Sequence, residues 1–184
     1  MTAFTPANQL TLLRMLLIPA FVILVVYGDL GWALAVFVTA GITDALDGIL
    51  ARRAGQKTTL GAWLDPMADK LLLVSAFVVL TLPGIGLANK LPVWLTVLII
   101  SRDVVIVLTV AVVNLAIGPR TFRPSIYGKI ATATYIVTAV VAMTFNYLER
   151  HSVLVDIGVW ASLAITLISS FHYFRRAARI VDPS

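Results

Sequence analysis

Apolar runs of about 20 residues, each long enough to cross a bilayer as a helix, recur along this chain and constrain its fold before anything else does. Backbone amides in lipid must be paired within their own segment, so such runs become helices. The breaks between them are short and polar or rich in glycine and proline: Gly28-Asp29, Arg52 to Lys57, Pro83-Gly84 to Lys90, Gly118-Pro119 to Pro124, and Glu149-Arg150-His151. They predict six transmembrane helices over 8–28, 31–52, 60–82, 91–115, 126–146 and 154–176, with sequential helices antiparallel. The expected fold is an all-α integral membrane protein. Charged residues make up 12% of the chain and hydrophobic ones 60%, whereas a soluble domain carries about a quarter charged. With 184 residues there is no room for a sizeable second domain, so residues 1–184 are expected to form a single membrane domain. The first run lacks a basic flank and a cleavage signal, and is expected to be a retained helix.

The net charge of +5 does not indicate nucleic acid, because the basic residues flank apolar runs instead of clustering with aromatics in a polar domain. They set orientation. Arg52, Arg53, Lys57, Arg120, Arg123, Lys129, Arg175, Arg176 and Arg179 fall on one side of the predicted topology, Lys90 and Arg150 on the other. The positive-inside rule then places both termini and the second and fourth loops in the cytoplasm, with a bacterial cytoplasmic membrane the expected location. No cysteine is present, which removes disulfides, thiolate zinc sites and cysteine nucleophiles.

Against this apolar background stand four aspartates, Asp44, Asp47, Asp65 and Asp69. A carboxylate at the centre of a membrane helix costs about 2.5–3.5 kcal/mol on the insertion scale. Asp44 and Asp47 are three apart on the second helix; Asp65 and Asp69 are four apart on the third. Each pair shares a helix face, and in antiparallel helices joined near residues 52–60 both lie about one to two turns below the cytoplasmic surface. Four carboxylates without His or Cys suit hard divalent ions, Mg²⁺ or Mn²⁺, and are ample for two. The alternative is internal ion pairing with Arg14, Lys70, Arg102 or loop arginines. Gly48 and Gly61 flank the cluster, one per helix, and admit a ligand or a neighbouring backbone. Ala51 is also small, and Arg52 is placed to clamp a phosphate.

Together these positions read Asp44-x2-Asp47-Gly48-x2-Ala51-Arg52-x8-Gly61-x3-Asp65-x3-Asp69. The string resembles the full signature of the CDP-alcohol phosphatidyltransferase family, and six helices with the signature across the second and third resemble the family plan. The resemblance implies that CDP-diacylglycerol binds with its diphosphate on two metal ions and its cytidine near Gly48, Ala51, Arg52 and Gly61. It implies that Asp44, Asp47 and Asp65 ligate metal, that Asp69 is the general base and a further candidate ligand, and that the chain is a homodimer among membrane lipids. An acceptor hydroxyl attacks the lipid-linked phosphorus and CMP leaves. The residues agree: no Cys, His or Ser nucleophile belongs to the motif, so direct displacement on metal-held phosphate is the simplest route.

The acceptor is narrowed by weaker signals. Asn8-Gln9-Leu10-Thr11-Leu12-Leu13-Arg14 resembles the opening shared by phosphatidylglycerophosphate synthases and eukaryotic-type cardiolipin synthases. Ile99-Ile100-Ser101-Arg102-Asp103 resembles a cardiolipin synthase run. The glycerophosphate enzymes usually carry a second arginine one to two turns later, where this chain has Leu108-Thr109-Val110. Tyr135 stands where both groups usually have Gln. Phosphatidylglycerol, giving cardiolipin, is therefore the expected acceptor, with glycerol-3-phosphate the alternative. Arg102 is the first candidate for acceptor phosphate binding, with Lys129, Arg120 and Arg123 behind it. For Arg102 the competing reading is a neutralising pair with Asp103 or the aspartate cluster. A cation transporter is a remote rival, since the outer halves of helices 2 and 3 are nearly all apolar. His151 and His172 have no partner at ligand spacing, and Trp32, Trp63, Trp94, Trp160, Tyr147 and Tyr173 read as interface residues.

Overall fold

The computed structural model describes residues 6–54, 59–117 and 125–181, with positions 6–8, 44–54, 59–67, 69, 113–114, 116–117 and 176–181 described as backbone alone. Among the described residues there are six helices and no strand: α1 (Pro6–Val26), α2 (Leu30–Ala54), α3 (Thr59–Thr81), α4 (Val93–Ile117), α5 (Ile126–Tyr147) and α6 (Val153–Val181). Their ends lie within two residues of the apolar runs except at the end of α6, which continues through the basic stretch after Arg175. Arginine and alanine are strong helix formers, so the helix outlasts its apolar run.

Among the described residues, four helices are long and apolar enough to cross a membrane: Gln9–Val26, Val93–Val112, Ile126–Tyr147 and Val153–Arg175. In α2 and α3 the apolar stretches among the described residues are shorter, Leu30–Thr43 and Lys70–Thr81. These are the two helices that carry the aspartates.

The chain divides into two compact units, one of Met1–Lys90 with Ala142–His151, the other of Leu91–Val141 with Ser152–Ser184. In the first, α1 packs along both α2 and α3. Its buried face is Thr11, Arg14, Phe21 and Val25, against Ala33, Phe37 and Ala40 of α2 and Ala68, Leu72, Ala76 and Leu80 of α3. Alanine recurs because small side chains let apolar helices approach closely where lipid offers no hydrophobic drive. Phe21 and Phe37 meet with ring centroids 5.6 Å apart. Leu12, Leu13, Leu16, Ile23 and Trp32 face outward, as a lipid-facing surface requires.

The turn between α1 and α2 closes through Gly28 in the left-handed region, φ 86°. At the other end of the unit the α3–α4 connection is tied to the last turn of α5. The Asn89 backbone N–H donates to Asn146 Oδ1 (2.6 Å), Asn146 Nδ2 donates to the Asn89 carbonyl (3.1 Å), and Asn89 Nδ2 donates to the Arg150 carbonyl (2.7 Å). Both amides are buried, and the bonds supply the partners that irregular backbone needs.

In the second unit α4 and α6 run parallel. Trp94 lies by Trp160, and the bonds from Arg102 to Ser169 and from Tyr173 to Ile106 both link residues 67 apart. The α5 partners rise as those on α6 fall (Tyr127 with His172, Tyr135 with Thr166, Thr138 with Gly158), so these two are antiparallel. Hydroxyl side chains cap the entries. Ser125 Oγ accepts from Gly128 N–H at the start of α5 (3.0 Å), and Ser152 Oγ accepts from Leu154 N–H at the start of α6 (3.2 Å). Asp156 in the first turn of α6 complements the helix dipole.

Candidate active site

The signature residues lie on continuous helix. Positions 44 and 47 fall within α2 and positions 65 and 69 within α3, so the spacings that put each pair on one face are realised by the backbone. The side chains of Asp44, Asp47, Asp65 and Asp69, and those of Gly48, Ala51, Arg52 and Gly61 with the loop at 55–58, lie outside the described residues. The donor set itself fits a hard divalent cation: carboxylates only, on two helices of one compact unit. Among the described residues, no other group of three His, Asp or Glu side chains could hold a metal ion.

α1 contributes a buried charge. Arg14 is 1% exposed, and it sits on the helix that packs against both aspartate-bearing helices. A guanidinium in an apolar interior persists only with anionic or carbonyl company, which gives the Thr11–Arg14 segment a role within this unit. A hollow of about 590 Å³ in this unit is lined by Gly28, Asp29, Trp32, Tyr147 and Glu149 among others. It lies at the Leu30 end of α2, the opposite end from Asp44.

In the second unit, Arg102 is at the centre of a small polar cluster. Its Nη1 donates to Asp103 Oδ1 at 2.8 Å and its Nη2 to Ser169 Oγ at 2.6 Å. The pair with Asp103 is the competing reading the sequence raised, and it is present. It occupies one of the five guanidinium donors. The first turn of α5 lies close by, since a Cβ on Gly128 would stand 3.3 Å from Arg102 Nη2. The structure thus brings Arg102 to the segment that carries Lys129, which is exposed. Arg120 and Arg123 lie outside the described residues.

Sequence reading missed the polar seam between α5 and α6. Tyr135 Oη meets Thr166 Oγ1 at 2.5 Å, Thr138 Oγ1 meets Ser162 Oγ at 3.1 Å, and Thr138 also donates towards the Gly158 carbonyl at 3.2 Å. The buried face of α6 reads Val155, Val159, Ser162, Thr166, Ser169. That alternating four-and-three spacing was the signal available in the sequence. Tyr135, buried where relatives are expected to carry Gln, is a member of this seam. His172 packs its ring against Tyr127, centroids 4.7 Å apart, and Trp94 lies beside Trp160 at 6.2 Å.

Fold and sequence together define a class: an all-helical protein with several helices fit to cross a membrane and a carboxylate signature on a pair of them. Comparison with known proteins carries the assignment further. The model of the CDP-alcohol phosphatidyltransferase family matches residues 4–168. The chain belongs to that family, a class of transferases of phospholipid biosynthesis. It is 36% identical over 182 residues to a probable phosphatidylglycerophosphate synthase of Mycobacterium tuberculosis, covering 94% of this chain and 81% of that one. It is 34% identical over 201 aligned positions to human cardiolipin synthase (CMP-forming), covering 97% and 64%. It is 30% identical over 191 residues to the CDP-diacylglycerol–glycerol-3-phosphate 3-phosphatidyltransferase of Bacillus subtilis, covering 94% and 95%.

Proposed function

We propose that this chain transfers the phosphatidyl group of CDP-diacylglycerol to the terminal hydroxyl of the phosphatidylglycerol headgroup, forming cardiolipin and releasing CMP. The acceptor oxygen attacks the phosphorus that carries the diacylglycerol. The bond from that phosphorus to the bridging oxygen breaks, and the oxygen leaves with CMP. Asp69 takes the hydroxyl proton. Asp44, Asp47 and Asp65, with Asp69, hold two divalent cations, Mg²⁺ or Mn²⁺, which neutralise the diphosphate when bound. Gly48, Ala51 and Gly61 leave room for the cytidine, and Arg52 binds the diphosphate.

The observation that carries the choice of acceptor is on α4. Arg102 is the one basic residue in that helix, it is paired with Asp103, and the position a turn and a half further on holds Leu108 and Thr109, whose hydroxyl bonds to its own helix at Val105. A doubly charged phosphomonoester calls for more positive charge than this; a phosphodiester calls for less. Lys129, Arg120 and Arg123 are further candidates for this site, behind Arg102. The relatives divide between the two acceptors, at 36% and 30% identity for the glycerophosphate names and 34% for the cardiolipin name, and the α4 chemistry supports the cardiolipin reading. Glycerol-3-phosphate is the second reading, favoured by the Mycobacterium and Bacillus relatives' names.

In this reading the chain is a single membrane domain of six spans over residues 1–184, a homodimer, with both termini and the signature site at the cytoplasmic face of a bacterial inner membrane. α2 and α3 cross despite their shorter apolar stretches because the bound cations offset the carboxylates. The test is CMP release and lipid product from purified protein in mixed micelles of CDP-diacylglycerol, with Mg²⁺ or Mn²⁺ and one acceptor at a time. Metal-dependent cardiolipin from phosphatidylglycerol is the expected result. Product from glycerol-3-phosphate alone would move the assignment to the second reading.

A further inference from the structure

Arg102 is held with unusual care for a surface-bound phosphate ligand. Its side chain is 8% exposed and that of Asp103 15%. Nη1 is taken by Asp103 and Nη2 by Ser169 from α6, while Nε is buried and donates to no atom among the described residues. A buried donor without an acceptor is costly, and the edge formed by Nε and an Nη is the one that grips two oxygens of a phosphate. Space for the guanidinium exists because position 128 is glycine: a Cβ there would stand 3.3 Å from both Arg102 Nη2 and Ser125 Oγ.

Among the described residues at this place, Arg102 and Asp103 form a pair, and Lys129, one residue beyond Gly128, is exposed. A phosphodiester carries one negative charge. A phosphomonoester, with its second pKa about 6, brings nearly two, and the Asp103 carboxylate repels the second. Discrimination of this kind comes from the repulsive element as much as from the attractive one.

We propose that Ser169 and Asp103 are the positioning and specificity residues of the acceptor site: Ser169 fixes the guanidinium so that its Nε edge faces the acceptor phosphate, and Asp103 sets the local charge to admit a phosphodiester and disfavour a phosphomonoester. The proposal rests on the reading that Arg102 binds the acceptor phosphate. It concerns this unit alone and needs nothing from the aspartate signature beyond turnover.

The experiment is acceptor kinetics on the full chain in mixed micelles, titrating phosphatidylglycerol and glycerol-3-phosphate separately. The proteins are the unchanged chain, Asp103→Asn, Ser169→Ala and Ser169→Thr. Asp103→Asn is expected to shift the kcat/KM ratio towards glycerol-3-phosphate by about tenfold or more. Ser169→Ala is expected to raise KM for phosphatidylglycerol several-fold with KM for CDP-diacylglycerol unchanged, and Ser169→Thr, which keeps the hydroxyl, to restore it. A merely structural role would lower kcat on both acceptors alike. On the unchanged chain, glycerophosphoglycerol, a soluble phosphodiester, should inhibit more strongly than glycerol-3-phosphate, and this arm stands even if Asp103→Asn does not fold. Turnover of phosphatidylglycerol with an unchanged ratio in Asp103→Asn, or stronger inhibition by the monoester, overturns this inference alone. No turnover of phosphatidylglycerol overturns the acceptor reading and this inference together.

Discussion

The signature segment of α2 and α3 and the seam between α5 and α6 are both strings of polar residues in apolar helices, and they differ in what they ask of their surroundings. The signature places four carboxylates within 26 residues, a concentration of like charge for which the proposed function supplies cations. The seam is neutral and closed. Tyr135, Thr138, Ser162 and Thr166 bond to one another or to carbonyls of their own helices, as Thr166 does to Ser162 (2.5 Å) and Thr138 to Thr134 (2.8 Å). Interhelical bonds of this kind average about 0.6 kcal/mol in membranes. Clustered like charge in an apolar helix calls for a counter-charge, and satisfied hydroxyls mark packing. Arg102 is where the second unit departs from closure, since its Nε keeps a buried donor unused.

The contrast breaks most visibly at the aspartates. Asp44→Asn and Asp65→Asn are each expected to lower CMP release by about a thousandfold, the scale of removing one group that stabilises transition-state charge. Chelation with EDTA should abolish turnover, and Mg²⁺ or Mn²⁺ should restore it. The same substitutions remove one of several crowded like charges, so the metal-free protein should melt at higher temperature in detergent than its unchanged counterpart. A thermal-shift assay with and without metal checks this. A fall in metal-free melting temperature would mean that the carboxylates are already paired within the protein, the ion-pair reading with Arg14 or Lys70.

Asn146 should behave in the opposite way. Its side chain is 1% exposed and joins the Asn89 backbone at both ends. Asn146→Leu leaves the buried Asn89 amide and carbonyl without those partners, a cost of about 1–3 kcal/mol. The expected readout is a lower melting temperature with unchanged metal dependence and unchanged acceptor preference at permissive temperature.

How far each region could be read from sequence follows from its physics. The helices were legible because length and apolarity dominate in lipid: the run at 60–82 is Thr59–Thr81, and the run at 126–146 is Ile126–Tyr147. The signature was legible because charge in an apolar run stands out and its spacing is fixed; the geometry of its side chains was not, and lies outside the described residues. The Arg102–Asp103 pair was only one of several options, because adjacent residues on a helix point about 100° apart and do not ordinarily face each other. The seam was missed although its four-and-three spacing is in the sequence, since serine and threonine barely disturb hydropathy and the spacing does not stand out. The Asn89–Asn146 contact joins residues 57 apart in sequence, and no local pattern announces it.

Two glycines give the finest version of the comparison. An added Cβ would stand 2.9 Å from Thr138 Oγ1 at Gly158 and 2.8 Å from Tyr147 Cε2 at Gly31, so distance alone predicts similar harm. The neighbours differ. Thr138 is 2% exposed and tied to Thr134, Gly158 and Ser162, so it cannot yield without opening the seam. Gly158→Ala is expected to cost about 1–3 kcal/mol, as overpacking does, seen as a lower melting temperature. Tyr147 is 56% exposed, and its ring can swing outward. At Gly31, in the first turn of α2, the strain is then offset by the gain of about 1 kcal/mol when alanine replaces glycine in a helix. Gly31→Ala should leave the melting temperature nearly unchanged, and in a Tyr147→Ala background it should raise it. A large loss at Gly31 would show that the Tyr147 ring is fixed in place and that this end of the first unit is as tightly closed as the seam.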